Sequence, residues 1–200
     1  VMGHILSKTR GEFRILAHRV FRRSEDLNRV ILPVSFDGTR EAVEQNLRTR
    51  AEALDWLGQG GAIGIFPGGT VSTAARPFGR AMDPVWRSFT ARMLARSEAT
   101  VVPVWFDGAN SRLFQIASHM HMTLRLALLI REFRVRLRDP VRLVIGNPIP
   151  RAEIEARRGD GKAMMDFLRR STYDLSPEPL VGHDYGLEFE EKYRTRSGES

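Results

Sequence analysis

Two hundred residues, 42% hydrophobic and 28% charged, with 17 Gly and 10 Pro, give enough chain for one domain of ordinary size with its own core. The composition excludes collagen, coiled coil and wholesale disorder, and the lack of cysteine excludes a disulfide framework and thiolate chemistry. The net charge of +7 leaves three partner classes open: nucleic acid, anionic lipid headgroups and an acidic carrier protein.

In chain order, the first ten residues read as part of a helix that opens without a cap. Phe13 to Ala17 is an apolar-rich run suited to a strand, and Val30 to Phe36 is a second, ended by an Asp37-Gly38 turn. From Thr39 the pattern turns helical, with Ala42, Val43, Leu47, Ala51, Leu54 and Leu57 at spacings of one, three or four. Gly58 and Gly60 stop it. Ala62 to Phe66 is the third strand, broken by Pro67-Gly68-Gly69. Asp83 is expected to cap a helix with Pro84 in its first turn, running through Trp86, Phe89 and Leu94.

Val101 to Phe106 is apolar at nearly every position, which predicts a strand buried on both faces of a parallel sheet. Its Pro103 lacks a ladder donor, so an edge, a bulge or a bend is expected there. Arg112 to about Phe133 reads as one helix. Val141 to Ile145 is the last strand, and a short helix follows around Ala163 to Arg170. Strands alternating with helices predict an α/β domain over residues 1–175, a mostly parallel sheet with helices on both faces, and a polar tail over 176–200.

No apolar run approaches the ~20 residues of a membrane span. The longest, Met122 to Ile130, is interrupted by Arg125. Basic residues are almost all arginine, whose planar donor fork suits phosphate and carboxylate. A nucleic-acid binder is disfavoured, because the aromatic residues sit within apolar runs and form no stacking platform between arginines.

The sharpest local feature is Ile65-Phe66-Pro67-Gly68-Gly69-Thr70-Val71-Ser72, a strand running directly into a Gly-Gly turn flanked by hydroxyls. Exposed N–H groups in such a turn suit an oxyanion or a phosphate, although a strand followed by Pro-Gly-Gly is by itself usually only a tight turn. A nucleotide P-loop is excluded, because Gly-x-x-x-x-Gly-Lys-Ser/Thr is absent. Arg40, Asn46 and Arg50 lie at roughly helical spacing after the second strand. They are candidates for a headgroup or carrier contact, against the alternative of a solvated helix face.

Taken together, Phe66 to Ser72 and Val102-Pro103-Val104 resemble the Phe-Pro-Glu-Gly-Thr-Arg-Ser block and the later Val-Pro-Val strand of lysophospholipid and glycerolipid acyltransferases. A branch of that family, lyso-ornithine-lipid acyltransferases and hemolysin-like proteins, is resembled over most of residues 1–175. The further matches are Phe13-Arg14-Ile15-Leu16-Ala17, Leu32-Pro33-Val34, Asn110 to Gln115 and Ile145-Gly146-Asn147-Pro148-Ile149. Gly68 and Val71 stand where the family has glutamate and arginine, which puts direct phosphate binding by this block in doubt.

The resemblance implies a glycerol-3-phosphate acyltransferase-like fold and an O-acyltransferase of membrane lipid biosynthesis. Such an enzyme moves a fatty acyl group from acyl carrier protein or coenzyme A thioester to the hydroxyl of a lysolipid. It needs no metal or bound cofactor, and it works as a peripheral protein on the cytoplasmic face of an anionic membrane. The loop Phe66, Pro67, Gly68, Gly69, Thr70 and Ser72 would bind substrate or the oxyanion. The family's catalytic His-x-x-x-x-Asp is not in this chain: none of His4, His18, His119, His121 and His183 has aspartate five positions on. The expectation is that the dyad lies upstream of Val1 and that these 200 residues alone are inactive. The alternative is a non-catalytic lipid-binding or interaction module of the same fold.

Overall fold

The structure is a computed structural model that describes residues 1–18, 25–35, 39–137, 139–178 and 184–189. Phe36, the Asp37-Gly38 turn, His183 and most of the expected tail lie outside the described residues. In chain order the elements are α1 (Met2–Thr9), β1 (Phe13–His18), α2 (Glu25–Asn28), β2 (Ile31–Val34), α3 (Arg40–Gly58), β3 (Ala62–Ile65), β4 (Thr73–Ala74) and β5 (Ala81–Met82). They continue as α4 (Phe89–Leu94), β6 (Val104–Phe106), α5 (Arg112–Met120), α6 (Met122–Arg136), β7 (Leu143–Ile145), α7 (Arg151–Glu155) and α8 (Gly161–Tyr173). The fold is mixed α/β, divided into two compact units.

The first unit comprises Val1–Gly69, Arg87–Val102 and Asn147–Phe167. Its sheet has the order β2-β1-β3, all parallel, with Ile15 beside Ile31 and Leu16 beside Ile65. Side chains alternate along a strand, so each strand serves two faces. Leu16, Ile63 and Ile65 pack with Leu32, Leu54, Leu57, Ala53 and Met93 into the core under α3. On the opposite face α1 lies on the sheet at Gly64, where a Cβ would come within 2.8 Å of Met2 Cγ.

Polar bonds also seat α3 on β2. Thr39 caps the helix by accepting from the Ala42 N–H at 3.2 Å. Thr49 Oγ1 donates to the Pro33 carbonyl at 2.6 Å. The stripe expected along α3 holds in part: Ala42 is buried and Leu54 and Leu57 pack on the core, but Val43 and Leu47 are exposed and Thr49 takes an inward place. Pro33 sits in the edge strand β2, where a missing ladder donor costs least.

The second unit comprises Thr70–Trp86, Pro103–Gly146 and Leu168–Ser200. It contains two small antiparallel sheets, β4-β5 and β6-β7. The expected parallel sheet is thus confined to the three strands of the first unit, and the strand expected over Val101 to Phe106 pairs antiparallel instead. Phe66 follows β3 rather than belonging to it, and β6 pairs with β7 through Trp105 beside Val144. Val104 to Phe106 are half-buried and Val102 is exposed, so the segment is not a strand covered on both faces. Its apolar run belongs to a short antiparallel pair, and the strand starts only after Pro103, which therefore owes the ladder no donor.

The helix expected over 112–133 is two helices. His121 is extended (φ −158°, ψ 138°), ending α5 and capping α6 by accepting from the Thr123 N–H at Nδ1, 3.1 Å away. The helix expected from Asp83 starts instead at Phe89, because the Asp83 carboxylate is engaged elsewhere, as described below. Helix α5 docks against β4 by Gln115 and His119, one turn apart. The Ala74 N–H donates to Gln115 Oε1 at 2.8 Å and the Ala74 carbonyl lies 2.9 Å from His119 Nε2.

Candidate functional site

The Phe66–Ser72 loop leaves the carboxyl end of β3. The Gly69 N–H donates to the Phe66 carbonyl at 3.1 Å and Gly69 has φ +66°, a left-handed conformation that glycine adopts without penalty. Pro67 adds a second anchor, its carbonyl accepting from the Arg87 N–H at 3.0 Å. The loop is thus a pinned turn. The N–H of Gly69 is committed to closing it, whereas Gly69 and Thr70 themselves stand exposed and Gly68 is buried.

Ser72 belongs to a polar cluster in the second unit that the sequence did not reveal. Its Oγ donates to Asp83 Oδ1, and Trp86 Nε1 donates to Asp83 Oδ2 at 2.9 Å. The Asp83 N–H in turn donates to Tyr173 Oη at 2.8 Å. The Asp83 carbonyl accepts from Arg169 at 3.1 Å and from the Gly186 N–H at 2.9 Å. In the sequence Asp83 looks like a helix cap followed by Pro84; the one trace of its other role is the tryptophan three positions on.

Burial pushes the Tyr173 hydroxyl up to about 12, with the neighbouring Asp83 carboxylate acting in the same direction. The folded protein therefore holds that proton more tightly than the unfolded chain, where tyrosine ionises near pH 10. Below pH 10 this contribution is fully present; it is lost as pH rises from about 10 to about 12, then levels off. Urea melts across that window should show falling stability, and Tyr173→Phe should flatten the fall. An equal fall in the variant would assign it to other groups.

Beside this cluster lies a buried cation. Arg125 is 4% exposed and donates to Thr73 Oγ1 (2.7 Å), Ser118 Oγ (2.9 Å) and the Val71 carbonyl (3.2 Å). It also stacks against Phe114 and Phe189, at 4.9 and 3.9 Å. Desolvation lowers its pKa to about 10, so it stays charged at neutral pH without a carboxylate partner among the described residues. The sequence carried a trace of it, a lone arginine inside an apolar run.

The three residues proposed for headgroup or carrier contact have separate fates. Arg40 is 93% exposed and pairs with Glu44 at 3.3 Å, an ordinary solvated helix pair. Asn46 is structural: its Oδ1 accepts from the Ser35 N–H at 2.9 Å and its Nδ2 donates to the Ser35 carbonyl at 2.7 Å, which seats α3 on the end of β2.

Arg50 differs. Its pKa is lowered, by burial first and then by Arg96 and Arg92, two like charges from α4 and the residues just after it. Arg92 also lines an open depression of about 400 Å³ with Ser88, Ala95, Arg158 and Lys162. Arg158 and Lys162 are paired with Glu155 and Asp166, so the like-charge repulsion that an anion would relieve is that among Arg50, Arg92 and Arg96.

Compared with protein-family models, with curated proteins and with solved structures, the chain matches none.

Proposed function

We propose that this chain is the acyl-transfer domain of a glycerolipid-type O-acyltransferase, with a fold of the glycerol-3-phosphate acyltransferase kind. It would move a fatty acyl group from an acyl carrier protein or coenzyme A thioester to the hydroxyl of a lysolipid, at the surface of an anionic membrane. The observation that carries the reading is the placement of Phe66 to Ser72, the segment with the strongest family resemblance. It emerges at the carboxyl end of a parallel strand, where open α/β sheets hold their ligands.

In the reaction, a histidine oriented by an aspartate takes the proton of the acceptor hydroxyl. The oxygen attacks the thioester carbonyl and donors hold the oxyanion; the intermediate collapses with cleavage of the C–S bond, and the departing thiolate takes the proton back from the histidine. Gly69 spends its N–H on the turn, so its part is to shape the loop; Thr70, exposed on that loop, is the donor to test. The Arg50, Arg92 and Arg96 cluster suits the phosphates of coenzyme A or an acidic carrier. No helix of the described residues is long and apolar enough to cross a membrane, in keeping with a peripheral place at the bilayer.

The second reading, a lipid-binding module without catalysis, is favoured by one fact: no histidine here has aspartate five positions on. The test is acyl transfer from acyl carrier protein and coenzyme A thioesters to a panel of lysolipids. It compares the 200-residue chain with the gene's full reading frame. The 200 residues should show no turnover and the full frame should be active. Lipid binding without turnover by the full frame would favour the module, and robust turnover by the 200 residues would require another base.

A further inference from the structure

Helix α6 is built inside out. Its two inward side chains are charged: Arg125 is bonded to Thr73, Ser118 and Val71. Glu132, 5% exposed, accepts from the Ser111 N–H at 3.0 Å and from Ser111 Oγ. Residues 125 and 132 are seven apart, two helical turns, so both anchors hold the same face inward.

The exposed surface then carries a stripe of Met122, Leu126, Ile130, Phe133 and Leu137, at spacings of four, four, three and four, with Leu124 and Val135 also exposed away from it. Each residue of the stripe is between 47% and 67% exposed. This stripe is about 23 Å long at 1.5 Å per residue. Arg131 and Arg134 stand exposed beside it; neither forms an ion pair among the described residues, although Arg131 acts at longer range on the Glu132 carboxylate. Glu132, the only acid in α6, is turned inward.

We propose that this face of α6 is the surface by which the protein docks on an anionic lipid bilayer, lying parallel to it with the stripe among the acyl chains. The inference rests on the peripheral-membrane part of the proposed function and adds which residues make the contact. An apolar stripe bordered by arginines, on a helix too polar to span, is the pattern of an interfacial helix. Charge selects the occupant: a second copy on this face would bring its own Arg131 and Arg134 near the same side chains, whereas lipid phosphates neutralise them.

The test is co-sedimentation of the 200-residue chain with vesicles of phosphatidylcholine alone or mixed with phosphatidylglycerol, at low and high salt. The wild type should bind the anionic vesicles more tightly. The double variant Ile130→Ser, Phe133→Ser should bind them about tenfold or more weaker at either salt. Arg131→Gln, Arg134→Gln should weaken binding by a similar factor at low salt and much less at high salt. All four side chains are exposed, so both variants should melt as the wild type does. In Phe133→Trp, tryptophan emission should shift to the blue on anionic vesicles.

A wild type that ignores every vesicle would overturn the membrane reading itself. Wild-type binding with both double variants unchanged, and no shift at residue 133, would keep that reading and overturn the assignment to α6. A dimer by light scattering that the serine variant dissociates, with vesicle binding unchanged, would make the stripe a self-association face and also overturn it.

Discussion

Gly186→Ala should destabilise the protein by about 3 kcal/mol, at the upper end of overpacking effects. A Cβ at residue 186 would stand 1.9 Å from the Met82 carbonyl oxygen and 2.5 Å from that of Thr73. Both are backbone atoms, so no side-chain rotation relieves the clash and residues 184–189 must lift away. Lifting breaks the Gly186 N–H bond to the Asp83 carbonyl and the Leu187 N–H bond to the Thr73 carbonyl, 2.9 and 3.0 Å long. It also breaks the 2.8 Å bond from Arg169 to the Asp184 carbonyl.

Gly58→Ala is the control. A Cβ there, in the last turn of α3, meets nothing within 4 Å, so the change should be neutral or stabilising by a few tenths of a kcal/mol. Urea melts and limited proteolysis near residue 184 measure both. A Gly186→Ala protein with wild-type stability and protection would mean that this segment does not lie against β4 and β5.

Arg125→Ala should cost about 3 kcal/mol or more and Arg125→Met about 1 kcal/mol. Opposing effects meet at this residue. A desolvated guanidinium is costly, and removing it returns that cost. Against this stand three hydrogen bonds and the rings of Phe114 and Phe189, between which the side chain fills space.

The hydroxyls of Thr73 and Ser118 already donate to the carbonyls of Val71 and Phe114, so losing the arginine costs them only an acceptor's partner. Filled volume should therefore dominate, and methionine, which keeps a long apolar stem, should recover most of the loss. Equal losses in the two variants would show that the charged hydrogen bonds dominate instead. Either way Arg125 is worth measuring, because with Glu132 it sets the rotation of α6 and so the direction of the exposed stripe.

Local pattern alone determined a good deal of this protein. The strands at Phe13, Ile31 and Ala62 and the helix from Thr39 to Gly58 were legible, because apolar runs, helical spacing and glycine stops act within a few residues. The sharp turn at Pro67-Gly68-Gly69 was legible for the same reason. Partners distant in sequence decided the rest. Asp83 looked like a cap, yet Ser72, eleven residues back, and Trp86 claim its carboxylate, and the helix begins later.

Asn46 was grouped with Arg40 and Arg50 by spacing, but Ser35 holds it. The run through Pro103 looked like a strand of a parallel sheet until β7, some forty residues on, paired with it antiparallel. Hydrophobic periodicity would have turned the stripe of α6 inward. Thr73, Ser118 and Ser111 instead bind Arg125 and Glu132, and an unpartnered buried charge is costly enough that satisfying those two residues fixes the helix face and leaves the apolar side chains of the stripe exposed.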